Sequence, residues 1–325
     1  MSISTTVLSP AERLRGIVPD FEIAAIGPLI EEIETLKQRR NAVVLAHNYM
    51  TPDIYHGVAD IKGDSLALAR MAMETDAEVI VMAGVHFMAE TAKITNEHKT
   101  VLLPDMNAGC SLADAITAKD VRLLRQKYPG VPVVTYVNTS AEVKAESDIC
   151  CTSGNAIQVV ESLGVERVIF LPDQYLGRWV ADNTHVKIIL WEGSCMVHER
   201  FNAEELREYR VIHPGIQIIA HPECPPDVLG EADFVGSTAG MIGWLKDVQP
   251  RQVVMVTECS MSDNVAVGSP NTEFLRPCNL CPHMKRITLE GIRDSLRDMK
   301  SEITVEPGVA ERARVAVERM LEVRL

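Results

Sequence analysis

Nowhere in this chain do about 18 apolar residues run together without a charge, so the sequence offers no helix for crossing a membrane. Residues 1–10 lack both a basic cluster and an apolar stretch, and no secretory leader is read there. Positive charge is also short: 32 Lys and Arg stand against 45 Asp and Glu, a formal net charge of −13. Nucleic acid and anionic membrane surfaces need a basic field, so neither is expected as a partner. Small anionic ligands stay open, because a local site can hold them against the overall charge. Together these absences imply a cytoplasmic protein. A second CxxC is missing as well. Cys278 and Cys281 form a single such pair, which leaves a four-cysteine structural zinc site incomplete.

What is present is an ordinary globular composition. The chain has 325 residues, 46% hydrophobic and 24% charged, enough for the cores of two or three compact units. Eight cysteines, Cys110, Cys150, Cys151, Cys195, Cys224, Cys259, Cys278 and Cys281, are expected to bind metal or stay buried in a reducing compartment rather than to build a disulfide framework.

Short β-branched runs alternate with helical patterns. Strands are expected over 42–46, 79–83, 100–103, 133–137, 167–171, 186–190, 217–220 and 253–256. Helices are expected over 28–40, 64–74, 120–128, 155–163, 203–209, 240–247 and 308–322. Near-continuous apolar strands between helices imply a parallel sheet covered on both faces, and hence an α/β fold.

The alternation also repeats. Strand ends carrying His47, Tyr136 and His221 follow one another at 89 and 85 residues. Helix starts rich in small hydroxyl residues, at Ser65, Ser153 and Ser237–Thr238, recur at 88 and 84. Cysteines after the next strand, Cys110, Cys195 and Cys281, lie 85 and 86 residues apart. A shared period of this kind implies three similar αβα units in tandem. Residues 1–107 form the first, with an N-terminal helix and joined by C-terminal helices in 285–325; residues 108–193 form the second and 194–284 the third. Ligands of parallel sheets sit beyond the carboxyl ends of the strands, where all these landmarks fall. If the units pack about a pseudo-threefold axis with those ends inward, the three cysteines meet at one centre.

Three convergent thiolates suit an iron-sulfur cluster with one iron left open to act as a Lewis acid. Zinc, a redox pair at the CxxC, or simple burial are the other readings. The repeat favours Cys281 over Cys278 as a ligand, while Cys150, Cys151, Cys224 and Cys259 read as core thiols. Helix starts near Ser65, Ser153, Ser237 and Thr238 are candidate sites for carboxylate or phosphate, although such residues also serve as plain N-caps. His47, His198 and His221 stand where imidazole could bind anions or move protons. Tyr49 and Glu223, each two residues beyond a histidine, are candidate acid-base groups, and Tyr136 with Asn138 has the same spacing. Any one of these could be an ordinary hydrogen-bonded residue. The other six histidines, His56, His86, His98, His185, His213 and His283, read as structural.

The segments HNYM at His47, GDS at Ser65, MNAGCSLAD at Cys110, YVNTSAEVKAESD at Tyr136 and CTSGNA at Ser153 resemble quinolinate synthase. So do WEGSCMVHERF at Cys195, HPEC at His221, GSTAGM at Ser237 and CPHMKRITL at Cys281. This resemblance implies a triangular α/β fold around one 4Fe-4S cluster held by Cys110, Cys195 and Cys281. It implies condensation of iminoaspartate with dihydroxyacetone phosphate to quinolinate, the precursor of NAD, with loss of phosphate and two waters. It places His47, Tyr49, Ser65, Tyr136, Asn138, Ser153, His198, His221, Glu223, Ser237, Thr238 and Met284 in the active site, and makes an L-aspartate oxidase the expected upstream enzyme. Some members of the family carry CxxCxxC in the last segment, with its first two cysteines able to pair. Here Leu275 takes the first position, so Cys278 lacks that partner. Another 4Fe-4S hydro-lyase, or an iron-sulfur redox sensor without turnover, would be the competing functions.

Overall fold

The computed structural model describes residues 8–323, so residues 1–7 and 324–325 of the expected first unit and C-terminal segment lie outside the described residues. Three four-stranded sheets carry the fold. The first contains β1 (Ala42–His47), β2 (Ile61–Gly63), β3 (Val79–Ala83) and β4 (Thr100–Leu102). The second contains β5 (Val133–Tyr136), β6 (Ile149–Cys151), β7 (Arg167–Leu171) and β8 (Lys187–Leu190). The third contains β9 (Gln217–Ala220), β10 (Phe234–Val235), β11 (Gln252–Val256) and β12 (Glu273–Leu275). Each sheet has the same order, second strand, first, third, fourth, and every pairing is parallel. The α/β expectation from apolar runs therefore holds.

The central strands are β-branched and buried along almost their whole length, as the covering of both faces requires. The edge strands β2, β6, β10 and β12 were not legible in the sequence. They have three residues or fewer, too short to show any period, and each lies in a segment that reads as a link. The helix expected over 28–40 begins earlier, at Asp20, and Pro28 lies inside Asp20–Arg40. Proline usually marks a helix start or a kink, and here the helix runs on past it. Leu289–Asp298 packs against Asp20–Arg40, whereas Pro307–Glu322 lies across Ala141–Ala145, β6 and His86–Thr95. Among the described residues no helix is long and apolar enough to cross a membrane.

Two sets of polar contacts recur once per sheet. In the first, an aspartate before the edge strand takes the backbone N–H of the central strand: Val44 to Asp60 at 2.8 Å, Val133 to Asp148 at 2.7 Å and Ile218 to Asp233 at 2.8 Å. A cation on the preceding helix pairs with each, Lys37 at 2.7 Å, Arg125 at 2.8 Å and Arg210 at 3.1 Å. The pairs satisfy strand-end donors that the parallel ladder leaves open.

The second set holds the cysteine turns. The N–H groups of His86, Gln174 and Cys259 donate to the carbonyls of Ala108, Gly193 and Asn279, each two residues before a cysteine. The carbonyls of Cys110, Cys195 and Cys281 then accept from Asp114, Glu199 and Lys285, four residues on. In the second unit the turn runs so close to the neighbouring loop that a Cβ on Gly193 would lie 2.5 Å from the Pro172 carbonyl oxygen. Only glycine fits there.

Cys259 departs from the core-thiol reading. It is joined by a disulfide to Cys278, 19 residues away in sequence. The remaining six cysteines are free.

Candidate active site

Strand ends deliver the polar side chains to one place. His47 closes β1 and Tyr49 follows in the next turn; Tyr136 closes β5, with Asn138 two residues on; His221 and Glu223 follow β9. With Cys110, Cys195 and Cys281 they line a single cavity, together with Ser65, Ser153, His198, Thr238 and Met284.

The hydroxyl residues differ in role. Ser237 is absent from the cavity wall because its side chain caps the helix Thr238–Val248, accepting from the Gly240 N–H at 3.1 Å. Ser65 and Ser153 are not caps. Asp64 caps Ser65–Glu74 by accepting from Ala67 at 2.8 Å, which leaves Ser65 as the first helical residue. The Ser153 hydroxyl lies 3.2 Å from His221 Nε2.

Glu223 is the centre of the polar set. It is 3% exposed, accepts from the Tyr136 hydroxyl at 2.6 Å and lies 2.8 Å from His198 Nδ1. Burial works against its charge, but His198 and His221, with the hydrogen bonds from His198 and Tyr136, hold its carboxyl well below the usual range. Burial pushes His47 down to about 4 and His221 down to about 3, against the pull of Glu223. Burial and the Glu223 charge push the phenols of Tyr49 and Tyr136 up. Near neutral pH the cavity therefore presents Glu223 as a carboxylate, neutral rings at His47 and His221, and two intact phenols. Asn138 adds a buried carbonyl oxygen with no partner, an acceptor left for a ligand.

The three cysteines are free thiols. Burial drives Cys110 up to about 12 and raises Cys195 and Cys281, and charges on neighbouring thiols raise Cys110 and Cys195 further. A bare set of thiolates is thus disfavoured. Three sulfur donors on one cavity wall fit an iron-sulfur cluster better than the harder ions. A second grouping, Cys195, His198 and Glu223, has donor atoms within 4.8 Å of one another and could also hold a metal ion. Its members already satisfy each other, since His198 Nδ1 faces Glu223 at 2.8 Å and the Cys195 sulfur at 3.2 Å.

A family model described as Quinolinate synthetase A protein matches residues 31–322. The chain belongs to this family. Among its relatives, quinolinate synthase 2 of Mesorhizobium japonicum is 64% identical over 312 residues, covering 96% of each chain. The quinolinate synthase of Agrobacterium fabrum is 63% identical over 312 residues, 96% of this chain and 90% of that one. That of Xylella fastidiosa strain 9a5c is 63% identical over 294 residues, covering 90% and 87%. The resemblance read from the motifs therefore extends over all three sheets.

In this member of the quinolinate synthetase A family, sequence reasoning passed over Asp64, Thr257, Glu258 and Lys285 and read His283 as structural. Asp64, Glu258 and His283 line the cavity. The Lys285 ammonium donates to the Tyr49 carbonyl and the Ser260 hydroxyl at 2.7 Å, and pairs with Glu258 at 2.9 Å. Glu258 is wholly buried and accepts from the Cys281 N–H at 3.3 Å. The repeat held a signal for it. Glu258 follows β11 by two residues, as Asp173 follows β7.

Proposed function

We infer that this member of the family is a quinolinate synthase, which condenses iminoaspartate with dihydroxyacetone phosphate and releases phosphate and two waters. The reading rests above all on Cys110, Cys195 and Cys281, one beyond each sheet, lining the same cavity as the linked Tyr136, Glu223 and His198. These cysteines would hold one 4Fe-4S cluster, which when bound supplies Lewis-acid polarisation at an iron that no cysteine occupies, without redox change.

The protein's own groups do the rest. Ser65, Ser153 and Thr238, with Ser237 setting the helix that carries Thr238, hold carboxylate and phosphate oxygens together with His47 and His221. Asn138 accepts a hydrogen bond from a substrate N–H or O–H. Glu223, ionised and fixed by His198 and Tyr136, takes a proton as the triose enolises. Tyr49 and Tyr136 keep their protons to neutral pH and donate to oxygens that leave as water. Met284 gives the cavity an apolar wall. An L-aspartate oxidase is the fitting supplier, because iminoaspartate hydrolyses readily.

The test is anaerobic purification and turnover. The protein should be brown, carry about four irons per chain, and form quinolinate from the two substrates. Cys110→Ala, Cys195→Ala and Cys281→Ala should each lose iron and turnover. A colourless, zinc-loaded protein would sink the reading. A full cluster without quinolinate would point instead to another hydro-lyase or a sensor.

A further inference from the structure

The turn after β1 carries one polar residue that its counterparts after β5 and β9 lack. His47, Tyr136 and His221 stand first in these segments and Tyr49, Asn138 and Glu223 third, and all six line the cavity. Between them lie Asn48, Val137 and Pro222, which do not. Of these three only Asn48 is polar. Its Nδ2 donates to the Thr238 hydroxyl, on the helix that follows β10, at 2.9 Å, and both residues are buried. We infer that Asn48 is a positioning residue that makes the Thr238 hydroxyl a committed donor, so that this corner of the cavity takes an ionised oxygen, carboxylate or phosphate, in preference to a substrate hydroxyl. The inference rests on the reading of Thr238 as an anion-holding group.

The three hydroxyls on the cavity wall meet different partners. Ser153 faces His221 Nε2 at 3.2 Å, a ring nitrogen that donates or accepts according to its tautomer. Ser65 has the apolar Val137 beside it in a small side cavity. Thr238 meets an amide nitrogen, which can only donate. The amide is held that way round because its Oδ1 accepts from the Tyr55 hydroxyl at 3.2 Å, which leaves the nitrogen for Thr238. A hydroxyl has one hydrogen. With its oxygen accepting from Asn48, Thr238 keeps that hydrogen for the cavity it lines. A donor fixed in this sense pairs best with an oxygen that carries charge and no hydrogen of its own. Thr238 is also the first residue of its 11-residue helix, where backbone N–H groups and the dipole favour the same negative charge.

The backbone of Asn48 is held without its side chain. Its N–H donates to the Gly63 carbonyl at 3.1 Å, and its carbonyl accepts from Asn264 Nδ2 at 3.0 Å. The same amide nitrogen donates to the Met50 carbonyl at 2.8 Å. Loss of the Asn48 amide should thus leave the turn in place, with His47 and Tyr49 on it, and free only the Thr238 hydroxyl to rotate. That hydroxyl meets a charge already present in the ground state, so the effect belongs in KM more than in kcat.

The experiment compares Asn48→Leu, Asn48→Ala and Asn48→Asp with Thr238→Val in anaerobically reconstituted protein, reading kcat, the apparent KM of each substrate and iron per chain. Asn48→Leu, which keeps the approximate shape, and Asn48→Ala should raise one KM about ten-fold and leave the other within about two-fold, with kcat within about three-fold and the iron content of the parent. A rise for dihydroxyacetone phosphate assigns the corner to phosphate, and a rise for iminoaspartate assigns it to carboxylate. Asn48→Asp should raise the same KM further, since a carboxylate takes the Thr238 hydrogen for itself. Added to Thr238→Val, the Leu change should cost nothing more, because its effect runs through the hydroxyl. Should Asn48→Leu fail to fold, Asn48→Ala carries the same comparison. If Thr238→Val raises a KM while Asn48→Leu and Asn48→Ala leave both within about two-fold, the role of Asn48 is wrong. Additive losses in the double variant, an equal rise in both KM values, parent-like values in Asn48→Asp, or loss of iron in the Leu and Ala variants alike overturn it too. If Thr238→Val leaves both KM values unchanged, the anion-holding role of Thr238 itself has failed.

Discussion

Around Glu223, burial rather than the carboxylate charge decides the state of the neighbouring rings. His47 and His221 are buried neutral, with values near 4 and 3, below that of an unfolded histidine. Their contribution to stability is thus complete above about pH 6.5 and is lost as pH falls toward those folded values. Urea unfolding of the metal-free chain should show stability falling steeply between about pH 6.5 and 4, and His47→Gln should flatten that slope. For chemistry, Glu223→Gln keeps the shape but removes the base, and kcat should fall about a hundred- to ten-thousand-fold with iron content unchanged. Normal turnover in that variant would remove Glu223 from the mechanism. Most of these residues were legible because polar side chains recur at strand ends with one period. Thr257 was not, since a threonine after a β-branched run reads as strand propensity, and Lys285 reads as a surface cation until its three partners are seen.

At the scale of elements, the central strands and the edge strands β4 and β8 were plain from their apolar runs, while β2, β6, β10 and β12 hid in what read as links. On the proposed reading, the cysteine turns are the elements on which the metal centre would depend. Gly193→Ala would press a methyl against the Pro172 carbonyl and displace the Cys195 turn, so reconstituted iron should drop by at least about half while the cooperative unfolding of the chain survives. Full iron loading with unchanged absorbance would show that the turn tolerates a side chain. Glu258→Gln tests the third turn. It weakens the hold of Lys285 and keeps the oxygen that faces the Cys281 N–H, so faster loss of iron to a chelator is expected than from the parent. An identical rate would leave Glu258 with a purely local role.

For the molecule as a whole, the sequence showed three similar units because their landmarks share a period, and the sheets repeat one strand order. The pairing of Cys259 with Cys278 was not legible. Nothing in a sequence tells which thiols face each other, and the pair lies outside the repeat. Alkylation of the denatured, metal-free chain should therefore label six cysteines without reductant and all eight after reduction, as mass spectrometry would read. Eight labels at the outset would mean that the pair is held as thiols in solution.

The placing of one cysteine beyond each sheet also has a consequence in time. Cys110 leaves the ribosome 171 residues ahead of Cys281, which at usual rates of synthesis is roughly 10 to 30 s. Through that interval the nascent chain owns an incomplete set of donors. On the proposed reading, a cluster delivered early would find one or two sulfurs and no closed pocket, so maturation would wait for the last unit to be released and folded.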